Sequence, residues 1–184
     1  RCICPPDSDP MLRVSRPSRQ TAEMASARRG RAALIARIAR TALVPHTAAQ
    51  MYRLVHDIEA YPAFLPWCNA AEVLEQSDAH QVAAITIAKS LKQSRFTTRN
   101  RLEPDRAIHV SLIDGPFRHL EGSWRFTDIG GQGCRADLEV DFAFASRLFG
   151  RMMGPAFTRV CDSLVNAFKR RADSLYGANG AVLR

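Results

Sequence analysis

Apolar and polar side chains alternate strictly along two neighbouring segments, residues 118–128 and 135–144. A period of two residues is that of β-strands with one covered and one solvent-facing side, as in an antiparallel sheet. The glycine-rich stretch 130–133 between them predicts a tight turn. The apolar positions predicted to share the covered face are Leu120, Gly122, Trp124, Phe126, Ala136, Leu138, Val140, Phe142 and Phe144.

The residues before these two segments predict more strands of the same sheet. Candidate strands cover 34–44, 70–76, 81–89, 94–102 and 107–114, and turn residues such as Pro104-Asp105 and Gly115-Pro116 separate several of them. In the strand 94–102, Phe96, Thr98 and Asn100 share the covered face, and the opposite face carries three arginines. With Asp and Glu on the neighbouring strands, that outer face is expected to be a lattice of opposite charges in solvent.

Two helical patterns flank the strands. Thr47 is a good N-cap for a helix from Ala48 to about Asp57, with Met51, Leu54, Val55 and Ile58 on one stripe. Residues 147–176 form the longest helical pattern and end at Gly177, although Gly154-Pro155 is expected to kink or restart the helix. Its predicted apolar stripe is Phe149, Met153, Phe157, Val160, Leu164, Phe168 and Leu175. The order predicts an α+β fold in which a curved antiparallel sheet of about seven strands wraps around the last helix.

The segment Tyr61-Pro-Ala-Phe-Leu-Pro-Trp67 is unusually aromatic for a connection. Its two prolines forbid a long helix there. A segment with this much apolar area must lie over the core or over a ligand. We interpret it as a mobile aromatic lid.

Charge is concentrated at the start of the chain. Residues 1–40 contain nine arginines and only three acidic residues, so they carry most of the net charge of +8 of the whole chain. We therefore predict a disordered basic arm at 1–33, a folded domain at 34–177 and a short tail at 178–184. The arm could bind RNA, anionic lipid or nothing. Met11 and Met24 are internal methionines at which translation could start, so the arm could also be left untranslated.

The composition offers little for catalysis or metal binding. Five widely spaced cysteines favour a reducing compartment over a disulfide framework, and Cys161 is expected to be a small core residue. The five histidines fall at predicted helix edges, turns or the outer face, where we expect them to be solvated. No catalytic triad order, metal-ligand spacing or phosphate loop is present. We therefore expect neither an enzyme nor a metal site nor a catalytic cofactor, and no apolar run long enough for a transmembrane helix is found.

Several motifs occur together in the order of a known family. They are Tyr61-Pro-Ala-Phe-Leu-Pro-Trp67-Cys68, Phe96-Thr-Thr-Arg-Asn100, Gly115-Pro-Phe-Arg118, Leu120-Glu-Gly-Ser-Trp124-Arg-Phe126 and Ala167-Phe-Lys-Arg-Arg-Ala172. Residues 35–177 thereby resemble the coenzyme Q-binding and RatA branch of the START-like, polyketide-cyclase-type superfamily. The resemblance implies the helix-grip fold, with a cavity between the sheet and the last helix.

The resemblance also implies two activities. One is the binding of ubiquinone, or a related lipid, as a carrier or chaperone in respiration, with transient contact to the inner membrane surface. The other is that of a ribosome-association toxin, which binds the large ribosomal subunit and blocks subunit joining. It further implies a cytoplasmic protein, or one of the mitochondrial matrix in a eukaryote. DNA is not an expected partner, because the outer face is not uniformly basic.

Twelve residues are candidates for lining a ligand cavity, although the same pattern also fits a close-packed core. Thr98 and Asn100 are the polar pair that could hydrogen-bond a quinone carbonyl. In this interpretation ubiquinone is a bound ligand and not a cofactor. The candidates are Phe64, Leu65, Trp67, Phe96, Thr98, Asn100, Phe117, Trp124, Phe126, Phe142, Met153 and Phe157.

Overall fold

The computed structural model describes residues 35–89 and 92–177, so the arm 1–33 and the tail 178–184 lie outside the described residues. These described residues form seven strands and two α-helices, and the predicted elements are confirmed to within a few residues. The elements are β1 (Ala36–Val44), α1 (Ala48–His56), a 3-10 helix (Ile58–Ala63), β2 (Cys68–Gln76), β3 (His80–Lys89), β4 (Lys92–Glu103), β5 (Ala107–Asp114), β6 (Phe117–Asp128), β7 (Cys134–Phe144) and α2 (Arg147–Tyr176).

All seven strands form one antiparallel sheet in the order β1-β7-β6-β5-β4-β3-β2. Strands β2 to β7 follow one another as hairpins, and β1 returns to pair with β7 from Ala36↔Phe142 to Val44↔Cys134. The register shifts in the pairs β2/β3, β4/β5 and β6/β7, where the extra residues lie on β2, β5 and β6. Such irregularities bend a strand and increase its twist, and they account for the curvature that lets the sheet enclose a helix.

Helix α1 begins as the sequence predicts. The Thr47 side chain accepts a hydrogen bond from the Gln50 backbone, and the Gln50 side chain accepts one from the Thr47 backbone, which completes a capping box. The stripe of Met51, Leu54 and Val55 is buried. The 3-10 helix follows directly and also buries Ile58.

Helix α2 runs without interruption from Arg147 to Tyr176, so the restart expected at Gly154-Pro155 does not occur. Ser146 caps it by accepting a hydrogen bond from the Phe149 backbone at 3.3 Å. Leu175 was placed on the buried stripe, and that prediction is wrong, because 46% of it is exposed. Ala172 and Tyr176, one helical turn apart, turn inward there instead.

The outer face of the sheet carries the predicted lattice of opposite charges. Arg37 of β1 lies 3.2 Å from Glu139 of β7, and Arg95 of β4 pairs with Glu72. These groups are about half exposed or more, so each pair contributes little stability. Within residues 35–89 and 92–177, neither helix combines the length and the apolar character needed to cross a membrane.

Candidate functional site

A cavity of about 120 Å³ lies between the inner face of the sheet and α2. Strands β3 to β7 form one wall, and α2 contributes Phe157, Val160, Cys161, Leu164 and Phe168 from the other side. Val55 of α1, Ile58 and Tyr61 of the 3-10 helix, and Trp67 complete the lining. The cavity is therefore assembled from nearly every element of the domain.

Six of the twelve candidate residues line this cavity: Trp67, Phe96, Thr98, Asn100, Trp124 and Phe157. The other six lie elsewhere, and most of them are core: Phe64, Leu65, Phe117, Phe126, Phe142 and Met153. Packing between aromatic rings explains why some of these candidates belong to the core and do not line the cavity. Phe117 stacks on Phe144 with ring centroids 4.7 Å apart, and Phe142 packs edge-on against Phe157 at the same separation. Ligand contact by any of the twelve stays a prediction.

Many lining residues were not among the sequence candidates, which were mostly aromatic. The residues around the empty space are largely aliphatic or small, and these leave a cavity because they do not fill it. The sequence did carry a signal for some of them. Gly122, Leu138 and Val140 share the predicted covered face with Trp124 and Phe142, and their smaller side chains leave space between the rings. The lining residues that were not candidates are Val55, Ile58, Tyr61, Ile85, Ile87, Ile108, Val110, Leu120, Gly122, Ser123, Leu138, Val140, Val160, Cys161, Leu164 and Phe168.

Polar groups enter the cavity wall on β4. Thr98 and Asn100 are 2% and 3% exposed, and the Thr98 hydroxyl donates to Asn100 Oδ1 at 3.1 Å. Asn100 Nδ2 donates across to Gln81 Oε1 of β3 at 3.4 Å, and Gln81 is itself buried. Two buried amides and a hydroxyl thus satisfy one another, which is the condition for keeping polar groups in an apolar interior.

The row of amides continues to the surface. Gln81 Nε2 donates to the His56 carbonyl oxygen at 3.3 Å and to Gln76 Oε1 at 2.9 Å. Gln76 Nε2 donates in turn to the Ser77 carbonyl oxygen at 3.0 Å. The polar row therefore extends from the cavity wall to two backbone carbonyls near the edge of the sheet.

The aromatic segment Tyr61–Trp67 lies over the core, against α2. The Tyr61 hydroxyl donates to the Val55 carbonyl oxygen at 2.6 Å, and burial raises the pKa of Tyr61. The rings of Tyr61 and Phe64 both pack edge-on against Phe168, with centroids 5.3 and 5.2 Å away. Trp67 Nε1 is buried and has no hydrogen-bond partner among the described residues. Mobility of the segment as a lid stays a prediction.

Two ionisable side chains line the cavity, Tyr61 and Cys161. Cys161 is 2% exposed, and burial raises the pKa of its thiol to about 12. The position confirms the prediction of a small core residue on the last helix. Both groups are neutral at physiological pH, so neither supplies the anion that nucleophilic or general-base chemistry needs.

His46 corrects the expectation that the histidines are solvated, because it is 0% exposed. Its Nε2 lies 2.7 Å from Asp173 Oδ1 near the end of α2. Hydrogen bonds from His46 and Lys169 hold the pKa of the Asp173 carboxyl below its usual range. The interaction joins the start of α1 to the end of α2, and it lies outside the cavity wall.

Arginines also mark the exposed side of α2. Arg147, Arg151, Arg159 and Arg170 are exposed and form no ion pair with any residue that the structure describes. Their spacing places them within about 140° of one another around the helix, at 100° per residue. Free cations on one side of a helix suit an anionic partner such as a phosphate backbone.

The protein family described as polyketide cyclase / dehydrase and lipid transport matches residues 44–169. A Vibrio cholerae protein named ribosome association toxin RatA is 43% identical over 140 residues, covering 76% of this chain and 97% of that protein. The RatA of Escherichia coli K12 is 40% identical and covers 77% and 89%. The Xenopus laevis mitochondrial coenzyme Q-binding protein COQ10 homolog B is 31% identical, covering 70% of this chain but 54% of that protein.

Solved structures show the same fold. The Streptomyces aromatase/cyclase ZhuI has a TM-score of 0.70 at 21% identity and covers 81% of this chain and all of its own. An 18 kDa protein from Caulobacter crescentus has a TM-score of 0.62 at 33% identity, covering 78% and 99%. At 21% identity the cyclase shows the fold alone.

Proposed function

The chain belongs to the polyketide cyclase / dehydrase and lipid transport family, in the branch that contains the RatA proteins, and we propose that it associates with ribosomes. The supporting observation is identity of 43% along almost the whole of a relative named for ribosome association. The helix-grip fold and the START-like resemblance stated from the sequence are confirmed. The large ribosomal subunit as the site of association is part of the proposal.

The described surface offers one place for such contact. The arginines of the predicted basic arm, which could bind RNA, lie in residues 1–33, outside the described residues. Helix α2 offers Arg147, Arg151, Arg159 and Arg170 instead, and the exposed Leu148 lies one turn before Arg151. Binding of phosphates by these side chains would release counterions and depend steeply on salt.

Sedimentation with ribosomes tests the proposal. The full chain should sediment with ribosomes or with isolated large subunits at low salt, and a variant with all four α2 arginines changed to Gln should stay in the supernatant. The control variant changes Arg37, Arg95 and Arg135 to Gln, because these are already paired with carboxylates on the sheet. Equal sedimentation of both variants would reject α2 as the contact, and no sedimentation of the wild type would reject ribosome association.

The cavity supports a second proposal, which does not exclude the first. Its wall is mostly apolar with a few buried polar groups, among them Thr98, Asn100 and Trp67 Nε1, the usual composition of a site for an apolar ligand. Ubiquinone is the candidate ligand, since the Xenopus relative is named for coenzyme Q binding. A carrier or chaperone role in respiration follows if ubiquinone is held there.

Size limits what the cavity can hold in the described conformation. An engineered apolar cavity of about 150 Å³ accepts benzene, whereas pockets for drug-sized ligands measure about 300–1,000 Å³. A volume near 120 Å³ therefore accommodates one ring and not an isoprenoid tail. The tail would leave beside Trp67 once the segment Tyr61–Trp67 moves away from Phe168.

Organic extraction of the purified protein, followed by mass spectrometry, tests this second proposal. Ubiquinone should be recovered from the wild type and lost from Val110→Phe, whose ring would fill the cavity. Ile113→Phe, on the same strand at a position 49% exposed, is the matched control and should retain the ligand. Recovery of no quinone from the wild type, together with unchanged Trp67 fluorescence on titration with quinone-bearing vesicles, would reject it.

Binding, and not catalysis, is the role we infer for the cavity. Its two ionisable groups are held neutral by burial, and the polar side chains of β4, Thr98 and Asn100, carry no acidic or basic group that could transfer a proton. The relatives are named for ribosome association or coenzyme Q binding. Turnover of an aromatic polyketide by the purified chain would contradict this inference.

A further inference from the structure

The hydrogen bonds of the polar row have a fixed direction. A backbone carbonyl oxygen only accepts, so the Gln76 amide nitrogen must face the Ser77 carbonyl, 3.0 Å away. The Gln76 oxygen is then left for Gln81, whose amide nitrogen also faces the His56 carbonyl at 3.3 Å. Two backbone carbonyls thereby determine the orientation of both glutamines.

The orientation of Gln81 in turn determines the direction of the hydrogen bonds at the cavity wall. Because the nitrogen of Gln81 is turned toward His56, its oxygen faces Asn100 and requires a donor, which is Asn100 Nδ2 at 3.4 Å. The Asn100 oxygen therefore faces Thr98, and the Thr98 hydroxyl must give its only hydrogen to it at 3.1 Å. The Thr98 oxygen is left with lone pairs and no hydrogen to donate.

On β4, two polar functions consequently remain for a molecule in the cavity. Thr98 can only accept, and Asn100 Nδ2 has a second hydrogen with no partner among the residues the structure describes. Both residues line the cavity. A hydroxyl group fits this pair, because it donates to Thr98 and accepts from Asn100, whereas a carbonyl or ether oxygen can only accept.

We propose that the cavity selects a ring bearing a hydroxyl group, a phenol or hydroquinone, over the same ring bearing only acceptor oxygens. This inference rests on the proposal that the cavity binds an apolar ligand. Applied to quinones, it assigns the preferred ligand as the reduced quinol. A buried group left without its partner is costly, so the preference follows from the pairing and not from the size of the ligand.

Three single-ring probes test the proposal: phenol, toluene and anisole, each titrated by NMR into the full chain. Comparing each probe between proteins cancels its own size and hydration. Thr98→Val, which keeps the shape and loses the hydroxyl, should weaken phenol about tenfold, as expected for one hydrogen bond. Toluene and anisole should bind both proteins equally, and their unchanged affinity shows that the cavity is intact.

Two further variants complete the test. Thr97→Val, on the opposite face of β4, should leave all three probes unaffected, and Thr98→Ser should retain the affinity for phenol. Equal weakening of anisole and phenol in Thr98→Val would show that Thr98 donates and would overturn the proposal, as would no weakening of phenol. Failure of all three probes to bind the wild type would instead reject the cavity as a ligand site.

Discussion

The inner face of the sheet has a filled half and an open half. In the filled half, Phe117, Phe142 and Phe144 cluster against Phe157 of α2, with several ring centroids only 4.7–5.0 Å apart. In the open half, around Val110, Gly122 and Val140, no ring occupies the centre and the cavity remains. Both halves alternate apolar and polar residues in the same way, so side-chain volume, and not the pattern, separates a core from a site.

Truncation in the filled half should have the largest effect. Phe117→Ala removes a ring that four phenylalanines surround, and it should lower the free energy of unfolding by about 3–5 kcal/mol. Val110→Ala in the open half should cost only about 1–2 kcal/mol, because the methyl groups it removes already border empty space. Urea unfolding of both variants measures the difference, and equal costs would break the distinction between the halves.

The sequence predicted the elements better than it predicted the site, and the distinction between the halves explains why. Alternation located β6 and β7, and the cap at Thr47 located the start of α1, because these signals are local. Which ring fills space and which borders it depends on neighbours in other strands, as Phe117 and Trp124 illustrate. His46 was misjudged for the same reason, since its partner Asp173 is 127 residues away.

Loss of Asn100, which links the polar groups of the cavity wall, should have the next largest effect on stability. Asn100→Ala leaves Gln81 Oε1 and the Thr98 hydroxyl without their partner, and an unsatisfied buried group costs about 1–3 kcal/mol. Asn69→Ala, at an exposed position on β2, is the matched control and should change stability by less than about 0.5 kcal/mol. A stable Asn100→Ala protein would mean that the polar row is not needed to hold the cavity wall.

Cys161 allows the open half to be probed with pH. Burial raises the pKa of its thiol from 9.0 to about 12, so above pH 9 the unfolded chain loses this proton before the folded chain does. The free energy of unfolding should therefore fall as pH rises from about 9 toward 12, by up to about 1.4 kcal/mol per pH unit for one thiol. Cys161→Ala should show a shallower decline in urea unfolding at pH 9–11.

The remaining decline in Cys161→Ala is expected from Cys68 and Cys134, since burial raises the pKa of each thiol to about 11. Tyr61 and Tyr52 add to it, because burial also raises their pKa above the ordinary tyrosine value. An identical slope for Cys161→Ala and the wild type would mean that solvent reaches the Cys161 thiol. In that case the open half would exchange with water, and its cavity would not be dry.

Substitutions on the outer face of the sheet should change the free energy of unfolding least, and they serve as a reference for the effects on the inner face. Arg37 pairs with Glu139 and Asp141, but 66% of its side chain is exposed, so solvent screens both interactions. Arg37→Gln should lower the free energy of unfolding by roughly 0–1 kcal/mol, and less in 1 M salt. Urea unfolding at low and high salt measures this change. A loss comparable to that of Phe117→Ala, or one that salt does not reduce, would show that the charge lattice contributes to the fold as strongly as the filled half of the inner face.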